Sequence, residues 1–428
     1  MLTRTVLITL TALLFLTACH KDSTPPKPTL PVTTTGSMTI NLTFGSPGDT
    51  TKVSCELIIS EPGGKVLLDT LAAFGVPVKA VLKTDAKLVD VTEIETSNPT
   101  NFVSVGIFKG VDPTTWVSAV PSDYGVHIPA RNSPTSAQTV VHNFPISAIY
   151  TSSVYNSFVF SAGPYNSFNF GNNPGTTLEL SYQRFAGSYN YFAIPGSSPG
   201  LYKLYLPAGD HDTLDCNHLD TLVSLNFNRS GAAPYTLSFP STSFLAIPDT
   251  TNFLKSIDLI ANAYFAPFPH ADLVFPKEPM QKYELSLAAI LSTNDNVRYY
   301  SYSKNLPAAP VFPSASSFSV NSTTIDNFSV SFTGTKPSYY QTSWSNGTVY
   351  VNLCSSPDSS TVHLLSLLNN QKSKLLSHFS VNDLVLKGFS FDNADGLSYG
   401  DFFSYTCNPA LLKTRRVVQA SSLSRYYP

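Results

Sequence analysis

Gly196-Ser197-Ser198-Pro199-Gly200 fits G-x-S-x-G, the pattern in which a serine hydroxyl stands on a tight elbow as a nucleophile. The elbow completes its oxyanion hole with the backbone N–H of the residue after the serine, and Pro199 has none to give. It must also lead into a helix, whereas Leu201-Tyr202-Lys203-Leu204-Tyr205-Leu206 alternates like a strand. Ser198 therefore reads as part of a Gly/Pro/Ser loop. A second gathering, Asp210-His211-Asp212 followed by Asp215, Cys216, His218 and Asp220, is the densest set of metal-ligand types in the chain. Imidazole and thiolate suit zinc; carboxylate and carbonyl oxygens suit calcium. The spacing meets neither pattern, and aspartates in a strand-joining loop close turns through their own backbone, so no metal ligand is assigned. Asp392-Asn393-Ala394-Asp395-Gly396 comes near a calcium loop but puts Ala394 where an oxygen donor is needed. The acids are sparse and offer no assignable pair for glycoside hydrolysis, because a separation of about 5 to 10 Å between two carboxyls is set by the fold. The expectation is a protein without a catalytic constellation, a metal or a cofactor.

A binding role rests on rings. Tyr155, Tyr165, Tyr182, Tyr189 and Tyr191 stand among serines and asparagines, and Tyr299, Tyr300, Tyr302, Tyr339, Tyr340 and Trp344 follow later. Rings with a polar tip on a sheet face can stack on sugars while Asn and Asp bind hydroxyls. The first five are the candidate ligand-binding residues, with a glycan or an envelope protein as partner. The competing reading is plain packing, since Tyr and Phe are ordinary strand residues.

Stepping from these residues to what must carry them, composition favours sheets. Charged residues are 13% of the chain and aromatics 12%, with 28 Phe and 22 Tyr; the charged share is about half the usual one. Helical bundles need more Glu, Lys and Ala, whereas rings and β-branched side chains pack well on a pleat. The formal net charge is -2, with no run of about five like charges, so nucleic acid is excluded as a partner for want of a basic patch to displace counterions. Beyond Cys19, the cysteines are Cys55, Cys216, Cys354 and Cys407. Cys354 and Cys407 share a region and could pair; buried thiols are the alternative.

The first nineteen residues, MLTRTVLITLTALLFLTAC, place Arg4 ahead of the apolar run Val6 to Leu16. At about eleven residues that run has the length of a signal-peptide core and is too short to cross a bilayer. Leu16-Thr17-Ala18-Cys19 resembles the lipobox of bacterial lipoproteins. The resemblance implies removal of residues 1–18, a lipid on the Cys19 thiol, and a mature chain held to a membrane through that lipid. His20, Lys21, Asp22 and Ser23 are similar to the short signals that send some lipoproteins to the outer face, which implies outer-membrane, cell-surface display. From His20 to Gly36 the chain reads HKDSTPPKPTLPVTTTG, a tether that at about 3.1 Å per residue reaches roughly 50 Å.

After the tether, period-two alternation begins at Met38. Ile40, Leu42 and Phe44 share one face; Cys55, Leu57 and Ile59 share the next. Glu61-Pro62-Gly63-Gly64 reads as a hairpin turn. Tyr155-Asn156-Ser157-Phe158-Val159-Phe160 is echoed ten residues on by Tyr165-Asn166-Ser167-Phe168-Asn169-Phe170, which reads as a pair of hairpin-linked strands. Asn346-Gly347 between β-prone runs predicts a two-residue type I′ hairpin. Val362 to Leu376 is the one segment where a helix fits. The expected fold is all-β: tandem immunoglobulin-like sandwiches over 37–145 and 146–250, then a C-terminal β region, 251–428, of one large or two small sandwiches. In layout this resembles the surface glycan-binding lipoproteins of polysaccharide-uptake systems, which implies glycan capture. A non-catalytic binding or structural role is the primary expectation, and an adhesin or pilus-like assembly subunit is the further alternative, which would show an unpaired strand edge.

Overall fold

Alternating runs in the first hundred residues form strands because one side chain in two is apolar and has a face to bury. The computed structural model describes residues 36–44, 52–73, 76–97, 102–112, 114, 116–118, 135–144, 158–163, 168–172, 176–194, 200–226, 236–237, 243–250, 256–259, 272–305, 312–314, 317–406 and 418–428. Cys19 and the tether up to residue 35 lie outside these, as does Cys407. No helix among the described residues is long and apolar enough to cross a membrane.

The N-terminal strands are β1 (Ser37–Phe44), β2 (Lys52–Ser60), β3 (Val66–Ala72), β4 (Pro77–Lys83), β5 (Val89–Ser97), β6 (Val103–Val111) and β7 (Trp116–Ser118). β4-β1-β7 is a small sheet, while β2, β3, β5 and β6 form one end of a thirteen-stranded sheet. The turn between β2 and β3 closes with the Gly64 N–H on the Glu61 carbonyl at 2.8 Å and Gly64 at φ +88°, a conformation that glycine adopts without steric cost.

Next come β8 (Thr135–His142), β9 (Val159–Ala162), β10 (Phe168–Asn172), β11 (Leu178–Arg184), β12 (Asn190–Ile194), β13 (Leu201–Tyr205), β14 (His211–Asp215) and β15 (Asp220–Thr221). They make two four-stranded sheets, β10-β11-β8-β14 and β15-β13-β12-β9, packed through Phe158, Phe160, Phe192 and Ile194 against Val141, Leu178, Leu180 and Tyr182. The sequence echo does not form the expected hairpin. Its first half leads into β9 and pairs with β12, its second half forms β10 and pairs with β11, so the chain crosses between sheets after Gly163, at φ +98°.

The remaining elements are β16 (Val223–Asn226), β17 (Thr236–Leu237), β18 (Ser243–Ile247), β19 (Ile257–Asp258), β20 (Asp272–Phe275), β21 (Lys282–Ile290), β22 (Asp295–Ser303), β23 (Phe318–Ser322), β24 (Phe328–Phe332), β25 (Tyr339–Ser345), β26 (Val349–Ser355), β27 (Thr361–Val362), α1 (Leu364–Gln371), β28 (Val385–Ala394), α2 (Tyr399–Thr406) and β29 (Gln419–Tyr426). The long sheet runs β19-β18-β21-β22-β29-β28-β25-β26-β6-β5-β2-β3, with β17 beside β21.

Both faces of the long sheet are covered. On one, Phe318, Phe328 and Val330 of the sheet β23-β24-β27 and Leu364 and Leu368 of α1 pack on Ile58, Ile107, Trp344 and Phe389. On the other, Ile40, Leu42 and Leu82 of the β4-β1-β7 sheet and Phe402 and Phe403 of α2 pack on Leu57, Val91, Phe108 and Tyr339. At the far end, Tyr191, Ala193 and Tyr202 of the middle sandwich meet Phe244, Tyr283, Leu285 and Tyr299. β12 is thus buried on both sides: its odd residues face the long sheet, its even residues the sandwich core.

Strand pairing crosses the division expected at 145 and 250. β6 lies parallel to β26 from Val103↔Val349 to Phe108↔Cys354, and β8 belongs to the middle sandwich. The physical reason is edge satisfaction: without β26, β6 would present a row of unpaired N–H and C=O groups. A buried carboxylate ties the same segments together. Glu56, fully buried, accepts from Ser373 Oγ at 2.6 Å and from the Lys374 and Leu375 N–H groups, each at 3.0 Å.

Two local expectations change. The Asn346-Gly347 hairpin forms, but type I′ needs positive φ at both central residues, and here only Gly347 has it, at +93°. Asn346 instead closes the turn, its N–H on Val349 O and its Oδ1 taking the N–H groups of Thr348 and Val349. Glycine in the first central position is the type II′ arrangement. α1 falls inside the expected window, whereas α2 was not anticipated. Its signal is Ser398, whose Oγ accepts the Asp401 N–H and donates to the Asp401 carboxylate at 2.7 Å, a serine N-cap.

Candidate functional site

Six loops meet at one end of the long sheet, where β2, β6, β26 and β28 finish and β5, β25 and α2 begin. They enclose an open cleft of about 600 Å³, within the size range of small-ligand sites. Pro337, Pro357 and Tyr399 are buried at its base, Leu88 and Pro62 stand exposed at its rim, and Ser356, Ser359 and Ser398 supply hydroxyls.

Each wall has a local cause. Gly110 sits at φ +63°, which lets β6 turn so that its N–H reaches Asp90 Oδ1 at 2.8 Å while Lys109 Nζ reaches Oδ2 at 2.7 Å. Asp90 is thereby buried with both oxygens engaged, as a buried charge requires. Across the cleft Lys336 pairs with Asp358. On the third side Asp395, at φ +50°, accepts the N–H groups of Val418 and Gln419 and fixes the turn into α2. Tyr399 donates to the Cys354 carbonyl at 3.4 Å and packs on Phe403, centroids 4.8 Å apart. The two lysines and two aspartates lining the cleft are therefore paired off. What the cleft presents is paired charge, hydroxyls and apolar edges, a surface for holding a polar, uncharged molecule.

The three described candidate tyrosines, Tyr182, Tyr189 and Tyr191, do not form an exposed row. Tyr182 is buried, its hydroxyl against Thr139 Oγ1 at 3.1 Å and accepting from Asn190 Nδ2 at 2.6 Å. Tyr191 is fully buried with its ring 6.3 Å from that of Tyr202, and burial holds its phenol far above the ordinary range. Tyr189 is half-buried against the same cluster. Tyr155 and Tyr165 lie outside the described residues. Of the later set, Tyr299, Tyr300, Tyr339, Tyr340 and Trp344 are buried as well. These rings carry the core, because a ring on a pleat is worth most where water is excluded from both its faces.

The aspartate–histidine segment is β14 and the turn after it. Asp210 pairs with Arg184 at 3.0 Å. Asp215 accepts from Asn143 and from the Asn217 N–H, which hold its carboxyl below the ordinary range. Cys216 is buried, which pushes its thiol up to about 12. No group of three or more His, Cys, Asp or Glu side chains among the described residues is placed to hold a metal ion. Asp392 to Gly396 forms the end of β28 and the turn into α2, with Asp395 occupied as described. Ser198 lies outside the described residues. Cys55, Cys216 and Cys354 are buried.

No protein-family model matches the chain, and no curated protein matches it in sequence.

Proposed function

We propose that the protein is a lipid-anchored envelope protein, held at the outer membrane and displayed at the cell surface through Cys19, which binds a ligand without transforming it. The cleft at the end of the long sheet is the ligand site, and a glycan is the ligand class that suits it best. The observation that carries this reading is the pairing of the charged groups lining the cleft, Lys109 with Asp90 and Lys336 with Asp358. A general acid or base needs a proton site free to exchange at the reacting atom, and a sugar needs hydroxyl partners beside an apolar edge. Affinity electrophoresis against a polysaccharide panel tests it. Nothing lies within 4 Å of a Cβ placed at Gly400, so Gly400→Trp is the variant chosen to obstruct the cleft. The expected result is retardation by at least one polysaccharide and a loss of about tenfold or more in affinity in the variant, a difference of about 1.4 kcal/mol; no retardation across the panel would remove glycan capture.

A second reading, a structural or adhesive subunit, is favoured by β3. It has a neighbour on one side only among the described strands, and its Leu71 is 62% exposed. Open apolar edges invite strand addition. Cross-linking in intact cells would yield an envelope partner joined near β3; a strictly monomeric, uncross-linked protein would end this reading.

A further inference from the structure

Sheet β4-β1-β7 buries Ile40, Leu42 and Leu82 against the long sheet, so alternation turns every second residue outward. On β4 the outward residues are Lys79, Val81 and Lys83, all exposed, Val81 by 66%. Register sets them opposite Asn41, Thr39 and Ser37, and directly opposed residues share a face. The outer face thus carries two lysines flanking a bare valine over small polar residues, and Lys87 is exposed just beyond the strand.

Asp69 is paired with Lys374, while Asp85 and Glu61 accept the Gly36 N–H and Thr84 Oγ1 and keep their charge. Lys79, Lys83 and Lys87 outnumber Asp85, the acid between them in sequence, so the face keeps a cationic excess in a chain whose net charge is -2. The N-terminal chain also enters here: Gly36 accepts the Thr84 N–H at 3.0 Å and leads directly into β1. The residues before it contain the apolar run Val6 to Leu16, Cys19, and further cations at Lys21 and Lys27. Whatever membrane the N-terminus is drawn to is therefore within tether reach of this face.

We infer that the outer face of β4 and β1 docks on an anionic lipid surface, Lys79, Lys83 and Lys87 meeting headgroup charge and Val81 entering the interface. The inference rests on the lipid-anchored reading: the acyl chains on Cys19 hold the protein to the membrane, and a basic patch adds electrostatic attraction to anionic lipid. Each lysine close to an anionic surface contributes about 1 kcal/mol, weakened by salt. The inference is independent of what the cleft binds, and its test removes the acyl group.

The chain from residue 19 onward carrying Cys19→Ser is sedimented with vesicles of phosphatidylcholine alone and of phosphatidylcholine mixed with phosphatidylglycerol. Binding to the mixed vesicles only, falling as salt rises, is expected. Lys79→Glu with Lys83→Glu should lower the partition by at least about thirtyfold, while Lys304→Glu, an exposed lysine elsewhere, should leave it unchanged. Circular dichroism of each variant confirms that it is folded. Equal binding to both vesicles, no binding to either, or an unaffected double variant would overturn the inference. Binding to immobilised polyglutamate without binding to vesicles would assign the face to an acidic protein and overturn the lipid partner.

Discussion

At the scale of single residues, the informative groups are polar ones placed where water does not reach. Glu56 is fully buried and satisfies one hydroxyl and two backbone N–H groups that belong to a segment more than three hundred residues away. Glu56→Ala would leave these donors buried without an acceptor, at a cost of about 1 to 3 kcal/mol for each unsatisfied group. The denaturation midpoint should therefore fall by an amount equivalent to about 3 kcal/mol or more. A change under about 0.5 kcal/mol would mean that water replaces the carboxylate. Asp90 does the same for the cleft wall. Neither residue stands out in the sequence, since a glutamate or aspartate within an alternating run reads the same whether its face is covered or wet. The burial of Tyr182 and Tyr191 was hidden for the converse reason: ring type and spacing are alike in a core and on a binding face, and only the layer above decides. Tyr191 lies under the long sheet, which no local pattern announces.

At the scale of elements, legibility followed the range of the interaction. The β2–β3 turn, the strand runs and the helical window around α1 are set by neighbours within a few residues, and they were readable. α2 carried a readable signal in Ser398 and Asp401 that the surrounding aromatic run concealed. The Asn346-Gly347 turn was located but mistyped, because Asn346 spends its side chain on the N–H groups of Thr348 and Val349, and the positive φ falls on Gly347 alone of the two. β3 shows what an element does at the end of a sheet. Its inner side is paired with β2 and its outer side meets no described strand, so the cross-linking outcome belongs to this strand: a joined partner near Leu71, or none.

At the scale of the whole molecule, the all-β class followed from low charge, many rings and period two, each a sum over many residues and so robust to local error. How the regions join did not follow. β6 and β26 come together across more than two hundred residues, and parallel pairing leaves no turn in the sequence to mark it. The cleft is illegible for the same reason, its lining being drawn from loops between Pro62 and Gly400. Leu88 at the cleft rim directly follows Lys87 of the basic face, so the proposed ligand site and the proposed docking face adjoin. The anchoring proposed above depends on a single covalent event at Cys19. Intact-mass spectrometry of the protein purified from its native membrane tests it most directly. A chain that begins at Cys19 and outweighs its residues by acyl-bearing glycerol is the predicted result; an unmodified chain that retains residues 1–18 would contradict it.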